Sequence, residues 1–220
     1  MSAPFTDQLI DLMAALLLLI AFAMLSQRRI LRLIHMFALQ GLVLAINTVI
    51  VAFAIHEPEL YVSAAITFVL KVIAVPWWLH RVIDRLNVRW DVETLINIPT
   101  TLLVGILVVI IAFNLALPIS HVAGTITRST LGIAMASVLL SFLMMITRRK
   151  AVPQVIGFLA MENGLFFAAT SATYGMPMVV ELGIGLDVLV ATFIFGIFFF
   201  QIRETFDSLD IHHLEKLKDK

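Results

Sequence analysis

The sequence contains no cysteine among its 220 residues, and only 14% of its residues are charged. The missing thiols exclude disulfides, thiolate nucleophiles and cysteine-ligated iron–sulfur or nickel–iron centres. Walker loops and the HExxH and GxSxG motifs are also absent, and Gly183-Ile184-Gly185 does not continue into a dinucleotide fingerprint. We therefore expect neither a self-contained enzyme nor a bound cofactor or metal ion.

Long apolar runs dominate what is present, since 61% of the residues are hydrophobic. That share is far above the apolar content of an ordinary soluble domain. Seven runs are long enough to cross a bilayer core of about 30 Å, and helices are the spanning form because strands would leave amides unpaired in lipid. The runs are Leu9–Leu25, Ile34–Ile55, Leu60–Leu79, Pro99–Pro118, Ser129–Ile146, Val152–Thr173 and Met178–Gln201. The sequence predicts an all-α membrane protein of about seven transmembrane helices, organised as one membrane domain.

Basic residues fall in alternate connections between these runs. They are Arg28, Arg29 and Arg32 after the first run, Arg81, Arg85 and Arg89 after the third, and Arg148, Arg149 and Lys150 after the fifth. The positive-inside rule then places the N-terminus outside and the C-terminus in the cytoplasm. We expect a multi-pass protein of a bacterial or archaeal cell membrane. The segment His80–Leu95 is predicted to form a short interfacial helix, and residues 204–220 a charged cytoplasmic tail.

Three ionisable residues lie near the middle of predicted spans. Glu162 is about ten residues into the sixth span, or ~15 Å deep at the rise of an α-helix. Asp187 lies at a similar depth in the seventh span, which runs in the opposite direction, so the two acids can face each other. Lys71 lies about eleven residues into the third span. Ionisable groups at this depth are costly and commonly mark an ion or proton pathway, so we predict a proton relay formed by these three residues.

Each of these residues also has a purely structural interpretation. The acids can be held between helices by packing and hydrogen bonds alone. Lys71 requires a partner, either one of the two acids or an acid of an adjacent subunit. A static pair that fixes helix register is as compatible with the sequence as a relay.

Four weaker relay candidates follow from their positions. Gln40 and Asn47 share one face of the second span, although amides within spans more often form hydrogen bonds between helices. Glu181 lies near the outer end of the seventh span, where it suits a wetted mouth or a proton exit. His35 lies near the inner end of the second span.

The last three spans carry a family resemblance. The stretch Ile156 to Asn163 and the stretch Gly185 to Leu189 resemble the K subunit of respiratory complex I and the C subunit of Mrp-type antiporters. With four further spans before them, the whole chain resembles component E of hydrogenase-4 type formate hydrogenlyases. In that family the first acid belongs about one turn earlier, near Leu159, and the second is usually Glu rather than Asp.

The resemblance implies a cofactor-free membrane subunit of an energy-converting hydrogenase, with an N-terminal part at 1–125 and a complex I K-like part at 126–203. It implies antiporter-like membrane subunits, a membrane anchor subunit, and nickel–iron and iron–sulfur subunits as partners, together with lipid and without nucleic acid. Proton or sodium movement would be coupled to redox chemistry on those partners. A subunit of a cation/proton antiporter, a stand-alone secondary transporter and a purely structural scaffold are the alternatives.

Overall fold

The computed structural model of the chain describes residues 5–86, 92, 94–123 and 128–173, together with Gly185 and Gly196. Regular structure within these ranges is helical throughout, without any strand. The helices are α1 (Phe5–Ser26), α2 (Ile30–Ile55), α3 (Pro58–Thr67), α4 (Val75–Leu86), α5 (Ile98–Ala123), α6 (Arg128–Thr147) and α7 (Ala151–Thr173).

Six helical stretches of the described ranges are long and apolar enough to cross a membrane. They are Phe5–Ser26, Ile30–Ile55, Pro58–Arg81, Ile98–Pro118, Thr130–Thr147 and Val152–Thr170. Their ends lie within four residues of the first six predicted runs, so the all-α membrane fold is confirmed. The seventh run lies outside the described residues apart from Gly185 and Gly196. The total of seven spans and their orientation stay predictions.

The third span is continuous, but its middle is widened. A π-helical segment, Phe68–Ala74, joins α3 to α4 without a break. At its end the Val75 N–H donates to the carbonyl of Leu70, five residues back, and Pro76 follows with no N–H to give. In a regular α-helix the Pro76 ring would clash with the carbonyl four residues earlier, and the wider turn moves that carbonyl aside.

The predicted interfacial helix His80–Leu95 is wrong as a separate element. Residues up to Leu86 continue the third span as α4. Thr94 is not helical and forms an isolated backbone bridge with Arg148. Charged residues in α4 therefore extend the transmembrane helix beyond its apolar part, and Thr94 pairs with the α6–α7 connection through Arg148.

Two helical hairpins form the centre of the bundle. The α1–α2 hairpin packs beside the α6–α7 hairpin, so that α1 contacts α6 and α2 contacts α7. Apolar side chains of all four helices make one continuous core. The third span lies against α2, and α5 lies against α6 and α1. Much of the outer face of α5 is apolar and exposed, as a lipid-facing helix requires: Leu103, Ile106, Leu107, Ile110 and Leu115.

One end of the bundle, which we call the basic end, holds the α1–α2 and α6–α7 connections. Val92 and Leu95, which lie between α4 and α5, link the two. The Val92 N–H donates to the carbonyl of Arg28 at 2.8 Å, and the Leu95 N–H donates to the carbonyl of Thr147 at 2.9 Å. Three connections that are far apart in the sequence are thus joined through their backbones.

Arg148 reinforces the same end from inside the protein. Its side chain is 1% exposed. Its Nη2 donates to the carbonyls of Leu25 at 2.7 Å and Met24 at 3.3 Å, which belong to the last turn of α1. Burial lowers the pKa of Arg148 to about 10, so it remains a cation at neutral pH. A cation at the C-terminal end of a helix also complements the helix dipole.

Replacing Arg148 by Met should therefore loosen the basic end. The variant keeps an apolar stem but loses the hydrogen bonds to α1, so the free energy of unfolding should fall by about 1–3 kcal/mol. Arg149→Met is the matched control because Arg149 is exposed. Thermal unfolding of the purified protein in detergent measures both variants, and equal melting temperatures would contradict the assigned role.

Candidate functional site

Lys71 is buried at the centre of the π-helical segment, with its side chain directed into the bundle. It is 4% exposed and is the one buried residue of Phe68–Ala74. The buried face of the third span repeats every four residues, at Ser63, Thr67, Lys71, Val75, Leu79 and Ile83. This repeat directs Lys71 towards α2, against which the third span packs.

The Lys71 ammonium is held by two polar side chains from α7. Its Nζ lies 2.6 Å from Glu162 Oε2, forming an ion pair. It also donates to Asn163 Oδ1 at 2.7 Å. The ring of Phe166, one turn after Glu162, lies 5.1 Å from Nζ and adds a cation–π contact. Phe166 lies four residues after Glu162 and three after Asn163, so its ring is a neighbour of both side chains on the surface of α7.

A third helix completes the network through an amide contact. Asn163 Nδ2 donates to Gln40 Oε1 of α2 at 3.2 Å, and both side chains are fully buried. The sequence Gln40-Gly41-Leu42 in α2 matches Asn163-Gly164-Leu165 in α7 by chemical type. The structure brings the two amides of these similar stretches together.

Gly41 permits the close approach of α2 to Lys71. A Cβ added at Gly41 would lie 2.8 Å from Lys71 Cβ and 3.3 Å from the Lys71 carbonyl carbon and oxygen. Because these atoms belong to the backbone and the first side-chain carbon, they could not move without shifting the third span. The absence of a side chain at this position is therefore a requirement for the network.

The arrangement places a positive and a negative charge together in apolar surroundings. Opposite charges at this separation are strongly coupled where water is excluded. Adding a proton to Glu162 would remove the negative charge that holds Lys71, leaving the ammonium with Asn163 and the Phe166 ring. The pair can thus exist in a closed, ionic state and an open state, which are distinguished by one proton.

Two further relay candidates, Asn47 and His35, lie apart from this contact. Asn47 is fully buried on α2, and neither of its amide atoms has a hydrogen-bond partner within the described part of the chain. His35 is exposed near the start of α2, where its Nδ1 donates to the carbonyl of Leu31 at 2.7 Å. Asp187 and Glu181 lie outside the described residues.

Sequence reasoning left the partner of Lys71 open, and the structure identifies it as Glu162 of the same chain. It missed the participation of Asn163 and the steric role of Gly41. The sequence did contain a signal for Asn163. An amide that directly follows a mid-span acid can accept a hydrogen bond from the cation that pairs with the acid. No group of three His, Asp or Glu side chains that could hold a metal ion occurs within the described residues.

The six spans define a multi-pass membrane protein. Within its described structure, the Lys71–Glu162 ion pair is the group of side chains best suited to exchange protons. Among curated proteins, the chain is 28% identical over 212 residues to an uncharacterized protein of Mycobacterium tuberculosis, Rv0085, with 96% of each chain covered. It is 24% identical over 182 residues to hydrogenase-4 component E of Escherichia coli K12, which covers 83% of this chain and 84% of that protein. The Shigella flexneri protein of the same name matches equally. No family model and no solved structure matches.

Substitutions at the ion pair should show strong energetic coupling. Lys71→Met or Glu162→Leu alone should each lower the free energy of unfolding by about 3–5 kcal/mol, because each leaves the other charge buried without its partner. The double variant should be less destabilised than the sum by more than about 1 kcal/mol. Unfolding of the purified protein in mixed micelles gives these values. The exposed residue Glu59, changed to Leu, is the control, and additive effects at Lys71 and Glu162 would argue against a close pair.

Gly41→Ala should disturb the site more than a similarly crowded glycine elsewhere. At Gly132 an added Cβ would also meet a neighbour at 2.8 Å, but that neighbour is the ring of Phe113, which can rotate. Gly41→Ala instead forces α2 and the third span apart, which should lower the melting temperature and lengthen the Lys71–Glu162 contact. Comparison of both variants by thermal unfolding tests this, and an equal loss at the two positions is the result that would count against it.

Proposed function

We propose that this protein is a membrane subunit of an energy-converting hydrogenase complex and that its Lys71–Glu162 pair takes part in proton translocation. The observation that carries the proposal is an ion pair between membrane spans, in which the Lys71 side chain is 4% exposed and the Glu162 side chain 13% exposed. Such a pair is costly and is a common element of proton pathways. The distant similarity to hydrogenase-4 component E over 83% of the chain supports the choice of complex.

The proposed step is the opening and closing of the ion pair. A proton delivered to Glu162 neutralises its carboxylate and frees the Lys71 ammonium from its strongest contact. Lys71 then passes a proton to an acceptor elsewhere, and transfer of the Glu162 proton to the neutral Lys71 amine restores the ion pair, so that one proton enters and one leaves. Asn163 holds Lys71 in place during the exchange through the 2.7 Å contact to its Oδ1. Gln40 in turn orients the Asn163 amide.

Asp187 is included in the proposed relay on the strength of a neighbouring glycine. Gly185, two residues earlier in the sequence, lies against the third span, since a Cβ added there would be 3.0 Å from Leu70 Cδ1. Leu70 directly precedes Lys71. Gly196 contacts the same span at Trp78. These contacts of Gly185 and Gly196 support the inclusion of Asp187 in the proposed relay.

The redox chemistry is assigned to partner subunits. The chain has no cysteine to ligate an iron–sulfur cluster or a nickel–iron centre. We propose that nickel–iron and iron–sulfur subunits carry the electrons, and that antiporter-like membrane subunits and a membrane anchor subunit adjoin this chain in the cell membrane.

Neutralising Glu162 tests the proposal. Membrane vesicles containing the assembled complex would be supplied with a reduced viologen dye, and hydrogen evolution and vesicle acidification measured together. Glu162→Gln should abolish most of the proton movement per hydrogen formed, because it removes one acid–base group from the relay. Glu57→Gln is the matched control because Glu57 is exposed in the α2–α3 connection.

Three results are informative. A normal proton yield with Glu162→Gln contradicts the relay role and favours a static pair. Transport by the purified chain alone in liposomes would contradict membership of a complex. Vesicle acidification that stops when sodium is removed, with Glu162 intact, would identify sodium as the coupling ion instead.

A further inference from the structure

The contact surface between α2 and the third span changes character at Lys71. Towards the basic end, the buried face of the third span is apolar, with Val75, Leu79 and Ile83. Towards the opposite end it is polar. Thr67 and Ser63 precede Lys71 in the sequence at intervals of four residues and are 5% and 2% exposed. A polar stripe therefore leads from the ion pair in one direction only.

The register of the two helices places Asn47 beside this stripe. Gly41 of α2 faces Lys71, and Val51 and Ala52 of α2 form a cluster with Leu60 of α3. Between these two fixed points the antiparallel helices advance by equal steps, so Asn47, six residues beyond Gly41, lies at the level of Ala65, between Thr67 and Ser63. We call the surface formed by Gln40, Asn47, Ser63 and Thr67 the polar seam.

The polar seam carries several buried atoms that lack a hydrogen-bond partner within the described residues. These atoms are Gln40 Nε2, Asn47 Nδ2, Asn47 Oδ1 and Ser63 Oγ, and Glu162 Oε1 at the ion pair is a fifth. Both amides are fully buried. Buried donors and acceptors are rarely left unpaired, and internal water is their usual partner where polar groups converge. Thr48, at the same level, differs because its hydroxyl donates to its own helix at Leu44.

We propose that the polar seam binds a file of water molecules that extends from Glu162 and Lys71 past Asn47 and Ser63. This inference rests on the proposed function, since it makes the file the route by which protons leave the ion pair. Water is favoured over a metal cation because the Lys71 ammonium would repel a second positive charge. Asn47 offers both a donor and an acceptor, as a residue that passes hydrogen bonds between waters requires.

An apolar cluster closes the far end of the seam. Val51, Ala52 and Leu60 are buried, and Ile10 and Ile55 pack against them. Water therefore reaches the ion pair from that side only when α2 and α3 separate at this cluster. The seam is an exit with a dry closure rather than an open channel.

The test combines proton yield with stability in the assembled complex and the purified chain. Asn47→Leu and Ser63→Ala should each cause the loss of most of the proton movement per hydrogen formed, with hydrogen evolution from reduced viologen retained. Neither should raise the melting temperature, because hydrated side chains are already satisfied. Ser141→Ala is the matched control, since Ser141 is buried in α6 and donates to its own helix at Ser137.

The outcomes separate this inference from the function on which it rests. If Glu162→Gln abolishes translocation but Asn47→Leu and Ser63→Ala do not change it, the seam is not the route and the proposed function stands. A higher melting temperature for Asn47→Leu would show a dry, unsatisfied amide and would overturn the water file by itself. If Glu162→Gln has no effect on translocation, the proposed function fails, and the melting temperatures still decide whether the seam is hydrated.

Discussion

The ion pair between Lys71 and Glu162 is the constraint on which the rest of the structure depends. The two residues are 91 positions apart in the sequence and meet at 2.6 Å inside the bundle. A charge left there without its partner would cost several kcal/mol, so the third span and α7 must stay close enough for the ion pair to form. Asn163 and Gln40 extend this requirement to α2, and three spans are thereby fixed in one register.

Local sequence features make this contact possible. Pro76 follows the widened turn that displaces a carbonyl it would otherwise meet, and Lys71 lies within that turn. Gly41 removes the side chain that would hold α2 away. A proline and a glycine that look unremarkable among apolar residues thus decide where a charged side chain can be buried. The irregular helix and the missing Cβ both lie at the buried cation.

Much of the fold could be predicted because the membrane imposes a simple rule on length and polarity. Six apolar runs became six spanning helices, since about 20 residues are needed to cross the bilayer core. Lys71 and Glu162 could be singled out by depth alone. Their pairing could not, because the rotation of one helix against another depends on contacts such as Gly41 with Lys71. The bridge at Thr94 was missed because backbone pairing with Arg148 leaves no periodic pattern in the sequence.

The joined connections at the basic end determine how the bundle can move. Backbone hydrogen bonds from Val92 and Leu95, together with the buried Arg148, tie α1, α6 and the start of α5 together there. Helices fastened at one end act as levers that pivot about it, and displacement grows with distance from the pivot. The apolar cluster at Leu60 lies at the far end of the lever, and the ion pair lies between. A small tilt would therefore separate the side chains of the cluster before it lengthened the distance between Lys71 and Glu162 appreciably.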